Sequence, residues 1–205
     1  MKIIILSISF LLSSLIGFSQ TKSMDNQSKF NFGFNLGGNY SILQAKEELP
    51  NNAKISNGFG FNIGVFMDYS ISESFLVSPK LELSLYQSSV DFENIAPPNS
   101  TYSVFPVSLN LMTHFVFKIG KGKMAPYIFV GPNIKIPISQ KPVISTEFYT
   151  STDFSIDFGI GLENKMKHFV FAPELKYSLG LLNVNQNPSL QTLNFHTISL
   201  LLNFK

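Results

Sequence analysis

Apolar and polar residues alternate along most of this chain, and the clearest case is segment 153–163. Its sequence, Asp-Phe-Ser-Ile-Asp-Phe-Gly-Ile-Gly-Leu-Glu, places an apolar residue at every second position and small or acidic residues between them. Successive side chains of a strand point to opposite faces, so the pattern predicts a strand with one wholly apolar face. No long helical pattern accompanies it to cover that face. The apolar face is therefore predicted to contact lipid.

Eight segments of this kind follow one another along the chain. They are predicted at about residues 30–40, 58–69, 75–87, 101–118, 126–138, 153–163, 169–180 and 192–204. The connections after the first, third, fifth and seventh segments are roughly 10 to 17 residues long, and the others about four to six; outer-membrane barrels alternate long external loops with short periplasmic turns in this way. The sequence therefore predicts an all-β fold, an eight-stranded antiparallel up-and-down transmembrane β-barrel with both termini in the periplasm.

The fourth segment departs from strict alternation. Tyr102 and Val104 have the opposite parity to Val107 and Leu109, and Pro106 between them has no N–H to donate to a strand ladder. A β-bulge near Pro106 would bring both parities into one strand, and this is the predicted arrangement.

The amino terminus reads as a secretory leader. Lys2 precedes an apolar stretch at 3–16, and Gly17-Phe18-Ser19 supplies small residues for cleavage after Ser19. The alternative, an uncleaved anchor, would need a span of roughly 20 apolar residues. The predicted organisation is a signal peptide at 1–19, a flexible periplasmic tail at 20–29 and a barrel at 30–205.

Composition supports a membrane location and excludes several classes of function. The chain has 21 Phe and 7 Tyr but only 14% charged residues, which would promote aggregation if these aromatic residues faced water. No apolar run after the leader is long enough for a spanning helix, so only a closed barrel satisfies its backbone in lipid. With a formal net charge of +2 the chain has no basic field for nucleic acid, and without cysteine it has no disulfide, lipid-attachment or thiolate metal site.

Charged residues on the polar strand faces are predicted to meet in the lumen. These are Asp68, Lys80, Glu82, His114, Lys135, Asp157, Glu163, Glu174 and Lys176, and Lys118 shares their parity. Eight strands enclose a space that side chains fill, and buried charges need partners. The prediction is a structural ionic plug, and a narrow proton or solute path remains the alternative.

No catalytic or cofactor-binding motif emerges from the sequence. There is no Gly-x-Ser-x-Gly element, and His114, His168 and His196 lie on different predicted elements, so neither catalysis nor a metal site is predicted. Four tyrosines near strand ends or on outward faces are interpreted as an interfacial belt: Tyr40, Tyr69, Tyr127 and Tyr177. The long polar loops at 41–57, 88–100, 139–150 and 181–191 are candidate contacts for envelope protein partners.

Five segments resemble one known family. They are residues 32–40, 105–109, 126–132 (Pro-Tyr-Ile-Phe-Val-Gly-Pro), 157–163 and 174–180. Together they resemble the PorT-like outer-membrane β-barrel family of Bacteroidetes over roughly residues 30–205. The resemblance implies an eight-stranded outer-membrane barrel, in a family whose namesake serves a protein-secretion system, and brings no catalytic motif.

Three functional hypotheses follow. The favoured one is a non-enzymatic integral outer-membrane protein that acts as an anchor or accessory subunit of surface or secretion machinery. The second is a small-solute outer-membrane channel. The third, a secreted soluble barrel of the lipocalin kind, requires an apolar lumen and a polar exterior, which is the inverse of the pattern in this chain.

Overall fold

The computed structural model describes residues 29–93, 101–120, 122–138, 150–185 and 192–205. The predicted signal peptide at 1–19 and all but the last residue of the predicted tail lie outside these ranges. Much of the predicted loops 88–100, 139–150 and 181–191 also lies outside them.

The described residues form eleven strands. In chain order they are β1 (Phe30–Ala45), β2 (Ala53–Ser56), β3 (Gly58–Ser70), β4 (Phe75–Leu85), β5 (Ser88–Phe92), β6 (Thr101–Val104), β7 (Val107–Lys118), β8 (Met124–Pro137), β9 (Asp153–Lys165), β10 (Val170–Gly180) and β11 (Leu193–Phe204). Across these described ranges, no helix has the length and apolar character needed to cross a membrane.

Eight of the strands close into a barrel. Their order around it is β1-β11-β10-β9-β8-β7-β4-β3, and β1 completes the ring by pairing antiparallel with both β11 and β3. Each strand thus lies next to its sequence neighbours in the barrel, which is the up-and-down arrangement. The predicted fold class, an eight-stranded antiparallel barrel, is confirmed.

The outer surface of the barrel is apolar. Phe59 is 74% exposed, and Phe158 and Ile160 of β9 are 45% and 58% exposed. A protein that folds in water normally shields side chains of this size. The alternation that predicted β9 therefore does put its apolar residues outside and its Ser and Asp residues inside.

The end of the barrel that carries the long connections contains more regular structure than predicted. β1 continues to Ala45, where it pairs with Leu193, and β2, β5 and β6 form a separate sheet in the order β2-β5-β6. The predictions of irregular loops at 41–57 and 88–100 are wrong over these strands. We call this the loop end of the barrel, and the opposite end, where the short connections lie, the turn end.

The predicted fourth strand at 101–118 is two strands in different sheets. β6 pairs with β5 in the small sheet, and β7 pairs with β4 in the barrel. Between them Phe105 has a φ of 49°, a left-handed conformation that non-glycine residues seldom adopt, and Pro106 follows. The predicted bulge near Pro106 is wrong, because the chain leaves one sheet there and enters the other.

An apolar cluster covers the lumen at the loop end. Phe105 and Phe195 are fully buried, with ring centroids 5.0 Å apart, and Tyr86 packs edge-on against Phe195. The other buried members are Leu43, Val90, Val104, Val184 and Leu193. We refer to these eight residues as the apolar cap. Burial of the Phe105 side chain offsets the strained backbone that places it there.

Candidate functional site in the barrel lumen

All nine charged residues predicted to line the lumen are buried. Their exposed fractions are 6% or less: Asp68, Lys80, Glu82, His114, Lys135, Asp157, Glu163, Glu174 and Lys176. The side chain of Lys118, which has the same parity, is 20% exposed near the turn end. The period of two along each strand is therefore sufficient to assign the facing of these residues.

Two ion pairs cross the full width of the lumen. Lys80 Nζ lies 2.9 Å from Glu174 Oε2, and Lys176 Nζ lies 3.2 Å from Glu82 Oε1. In both cases one partner is on β4 and the other on β10, which lie opposite each other because three strands separate them in either direction. β4 and β10 run the same way, so a Lys-x-Glu sequence faces a Glu-x-Lys sequence at two successive levels.

Neutral polar groups complete the partners of these carboxylates. Asn35 Nδ2 and Ser84 Oγ each donate to Glu82 at 3.2 Å, and the Tyr127 hydroxyl donates to Glu174 at 2.9 Å. Such additional hydrogen bonds are what makes a buried charge tolerable. The glutamates are therefore held by several donors each, rather than by lysine alone.

Tyr127 does not belong to an interfacial belt, so that part of the belt prediction is wrong. It is 5% exposed and faces the lumen. Its ring lies over Gly161 directly opposite on β9, where a Cβ atom would collide with it. Tyr40, Tyr69 and Tyr177 are half-buried, as residues on the outer wall can be.

Asp157 is the centre of a second group of contacts. Its carboxylate lies 3.1 Å from His114 Nε2 and accepts hydrogen bonds from Asn133 at 3.1 Å and from Ser178. Lys176 is 3.9 Å away and joins this group to the crossing pairs. Because the Ser178 hydroxyl bonds Asp157 rather than His114, these residues lack the nucleophile and base contact that a triad requires.

Lys135 and Asp153 form a further pair beneath the apolar cap. Their Nζ and Oδ2 atoms are 3.7 Å apart, both side chains are fully buried, and Lys135 Nζ lies 5.1 Å from the centre of the Phe195 ring. Sequence reasoning selected Lys135 but did not select Asp153. Asp153 and Asp157 are four residues apart on β9 and therefore point to the same side, so the alternation along this strand could have identified Asp153 as a lumen residue.

Three further ion pairs lie at the turn end. Lys118 is 2.8 Å from Glu163, and the terminal Lys205 lies 2.5 Å from Asp68 and 3.3 Å from Glu163. Burial alone would lower the pKa of Lys205, but the two carboxylates hold its pKa above the ordinary value. Sequence reasoning missed Lys205, although its position one residue after the outward Phe204 gives it inward parity.

The lumen is open at the turn end and narrows sharply inside. A cavity of about 680 Å³ lies at the mouth, lined by residues that include Lys29, Lys118, Glu163 and Lys205. A second space, at the level of Lys80 and Glu174, measures about 20 Å³. One water needs roughly 10 to 15 Å³ of such volume, so this inner space has room for about one water molecule.

The described part of the chain offers no group of three or more His, Asp or Glu residues placed to hold a metal ion. Asp157 is held by the contacts given above, whereas His114 is bonded through Nε2 alone and its buried Nδ1 has no hydrogen-bond partner among the described residues. What the geometry supports chemically is therefore charge neutralisation inside a narrow barrel.

A closed barrel with an apolar outer wall and paired charges inside defines an integral membrane β-barrel protein. The sequence matches the family described as outer membrane protein beta-barrel domain over residues 18–186, and the chain belongs to that family. It is therefore a β-barrel protein of the outer membrane.

Three solved structures are similar in overall arrangement at low sequence identity. Neisserial surface protein A is 10% identical with a TM-score of 0.46, covering 84% of this chain and 96% of that one. OprG from Pseudomonas aeruginosa is 10% identical, TM-score 0.46, with 85% and 93% covered. Ail, the attachment invasion locus protein of Yersinia pestis, is 15% identical, TM-score 0.43, with 87% and 99% covered. No curated protein matches the sequence.

Proposed function

We propose that this protein is a non-enzymatic outer-membrane anchor or accessory subunit of surface or secretion machinery, and that its lumen is a structural plug. The observation that supports this most directly is the pair of ion bridges, Lys80–Glu174 and Lys176–Glu82, which join opposite walls of the barrel. A solute passing through the lumen would have to separate both.

Separating these bridges is energetically unfavourable. Their side chains are 1% to 5% exposed, so neither partner can turn to solvent when the other is displaced. Leaving one member of a buried pair uncompensated costs on the order of 3 to 5 kcal/mol. A barrel with two such bridges at successive levels suits a rigid scaffold better than an open conduit.

We propose further that the turn end faces the periplasm and that residues 1–19 are a cleaved signal peptide. Short turns on the periplasmic side are the rule in this class of barrel. The resemblance of residues 30–205 to the PorT-like family of Bacteroidetes supports a role beside a secretion system. Mass spectrometry of the mature protein should find Gln20 at its amino terminus, and a chain that retains residues 1–19 would contradict the cleavage proposal.

Protein partners are proposed to contact the loop end, through residues 41–57, 88–100, 139–150 and 181–191. The small sheet of β2, β5 and β6 gives two of these loops a fixed shape, since its inner face packs on the apolar cap. A rigid exposed sheet is a better docking surface than mobile chain, because little conformational entropy is lost when it binds.

Affinity purification from intact outer membranes, followed by mass spectrometry, tests the accessory role. The proposal expects envelope proteins to be recovered with the unmodified chain. It also expects their loss with a variant in which residues 88–100 are replaced by a Gly-Ser linker. Recovery of the same proteins with both chains would count against the loop end as the contact surface.

A small-solute channel is the second candidate, favoured by the mouth cavity of about 680 Å³. Its size is within the range of ligand pockets, and it leads toward the lumen. Purified protein in planar bilayers distinguishes the two candidates. A plug predicts little steady current, whereas single-channel currents whose selectivity shifts in Glu82→Ala would establish the channel.

A further inference from the structure

The cavity at the turn end is a cup that ends blindly inside the barrel. It measures about 680 Å³, which is within the size range of small-molecule sites, whereas the space behind it measures about 20 Å³. Five residues line both spaces and so form the floor between them: Asp68, Leu76, Lys118, Glu163 and Lys205. A molecule that enters the mouth therefore stops at this floor.

The charges of the floor neutralise one another. Lys205 Nζ lies 2.5 Å from Asp68 on β3 and 3.3 Å from Glu163 on β9, and Lys118 Nζ lies 2.8 Å from Glu163. β3 and β9 are opposite each other in the barrel, since three strands separate them in either direction. The floor is thus one network of two lysines and two carboxylates, and it contributes no net side-chain charge.

The rest of the cavity lining has an excess of lysine. Its charged residues are Lys29, just before β1, and Lys165, at the end of β9, against Glu73 in the turn between β3 and β4. Asn31 and Ser70, which also line the cavity, add neutral polar groups near Lys29. A concave surface lined by charge of one sign attracts small molecules of the opposite sign.

Lys165 has a second lysine directly opposite it. Lys165 N donates to Lys123 O at 2.8 Å, and the register that pairs Glu163 with Ala125 continues to these two residues. Glu163 and Ala125 line the cavity, so Lys123 and Lys165, two residues further along their strands, face the same side at its rim. Like charges in a cross-strand pair destabilise a sheet. An anion held between the two ammonium groups would remove that repulsion.

Positive charge also lies on the opposite wall of the cup. Lys29 immediately precedes β1 and Lys123 immediately precedes β8, and three strands separate β1 from β8 in either direction. A ligand with one acidic group would therefore engage one wall, whereas a ligand with two separated acidic groups would engage both.

We propose that the mouth cavity binds small organic dianions, of which linear dicarboxylates are the simplest. One acidic group lies between Lys123 and Lys165, and the other lies at Lys29. The neutral floor and the blind end assign this ligand to the mouth and not to a path through the barrel. The inference goes beyond the accessory role and does not depend on it.

NMR spectroscopy of the full-length mature protein in non-ionic detergent tests this inference. The backbone amide signals of Gly120 and Gly122, which line the cavity, report binding there, and the signal of Gly58, at the start of β3, reports the loop end. Titration with sodium succinate should shift the first two signals and leave the third in place. Butyrate has the same number of carbon atoms but one carboxylate. At equal ionic strength it should bind about threefold more weakly, because it lacks one exposed ion pair of about 0.7 kcal/mol.

Matched variants test the role of charge. Lys123→Gln/Lys165→Gln should weaken succinate binding by about tenfold, while the unfolding midpoint without succinate should stay the same or rise, because the like-charge pair is gone. Lys123→Arg/Lys165→Arg keeps both charges and should retain the binding. Glu73→Gln removes a carboxylate from the lining and should strengthen it. Lys46→Gln/Lys54→Gln, at the loop end, should leave it unchanged.

Four results would each overturn the inference. Succinate could shift Gly58 as strongly as Gly120, butyrate could bind as tightly as succinate, or the glutamine double variant could bind succinate as tightly as the unmodified protein. Equal binding of succinate and inorganic phosphate would assign the cavity to compact anions instead of ligands with two separated acidic groups. All four are measured without bilayer currents or partner recovery, so a failure of this inference is distinguishable from a failure of the proposed function.

Discussion

Replacing Glu82 by alanine is the most direct test of a packed ionic lumen. Glu82 is 1% exposed, pairs with Lys176 at 3.2 Å, and accepts hydrogen bonds from Asn35 and Ser84. Its removal would leave Lys176 with a single carboxylate, that of Asp157 at 3.9 Å. The substitution therefore removes the nearer counter-charge of a buried ammonium group and the acceptor of two buried donors.

The expected loss of stability follows from these contacts. Breaking a fully buried pair costs about 3 to 5 kcal/mol. The remaining contact with Asp157, and water entering the space left by the glutamate side chain, reduce the penalty to the lower end, about 3 kcal/mol. The free energy of unfolding of a protein of this size falls by roughly 3 kcal/mol for each molar of urea, so the urea concentration at the unfolding midpoint should fall by about 1 M.

Urea unfolding followed by far-UV circular dichroism, with the protein in lipid vesicles, measures this change. Lys176→Met and the double variant Glu82→Ala/Lys176→Met complete a thermodynamic cycle. The double variant should lose less stability than the sum of the two single changes, by more than about 1 kcal/mol, because it leaves no uncompensated lysine. Glu47→Ala, an exposed change at the loop end, should shift stability by less than about 0.5 kcal/mol.

Two results together would refute the reasoning. One is an unchanged unfolding midpoint in Glu82→Ala, with strictly additive effects in the cycle. The other is a change in ion selectivity in planar bilayers caused by the same substitution. That combination would mean that water solvates these charges in the native barrel and that the lumen is a solute path.

Three further changes probe the outer wall, the inner wall and the turn end. Phe158→Arg exposes a charge to lipid near the middle of β9 and should cost about 2 to 4 kcal/mol in urea unfolding, whereas Phe158→Leu should be mild; equal effects would contradict the lipid-facing assignment. Gly159→Ser should cost about 1 to 3 kcal/mol, because a Cβ atom there would lie 2.2 Å from the backbone oxygen of Leu175 and 2.6 Å from the Phe129 ring; Phe129→Leu should relieve only the second of these contacts and so part of the loss. The pKa of Lys205 is raised in the folded state, so its pairing with Asp68 stabilises the protein fully below the ordinary lysine pKa of 10.5 and less as pH rises through the folded value. The difference in melting temperature between the unmodified protein and Lys205→Met should therefore shrink at alkaline pH, while Lys205→Arg should retain its stability there; a difference that grows with pH would contradict the pairing.

The fold was predictable because its main signal is local. A strand within a barrel alternates between two environments with a period of two, and this period appears in single segments such as 153–163. The same period assigns the facing of Asp157 and Glu174 without knowledge of any neighbour. It also predicted that Gly159 faces the lumen, but not that Phe129 of the next strand lies over it.

The pairing of lumen charges was not predictable in the same way. Lys80 and Glu174 are 94 residues apart and lie on opposite walls, so their contact depends on the strand order and the stagger of the whole barrel. Sequence alone shows a Lys-x-Glu and a Glu-x-Lys segment, but not that they lie at equal heights. The sequence also did not show that the chain leaves the barrel at Phe105. The strands on either side, β6 and β7, pair with β5 and β4, which lie outside the predicted segment 101–118, so this segment alone does not reveal that they belong to different sheets.

The two ends of β1 indicate where the bilayer begins and ends. Its outward residues are apolar from Phe30 to Tyr40, a stretch whose eleven residues match the 9 to 11 that a tilted strand needs to cross the hydrocarbon core. Tyr40, at the end of this stretch, packs on Phe59 with ring centroids 4.9 Å apart. Beyond it the two faces exchange character, since Leu43 turns inward to the apolar cap while Gln44 is exposed. The exchange has a physical cause: below this level the outer medium is lipid and the lumen must hold the polar groups, whereas above it the outer medium is water and the interior can be apolar. Residues 41–45 were interpreted as a loop because the alternation reverses its sense at this boundary, although the strand continues.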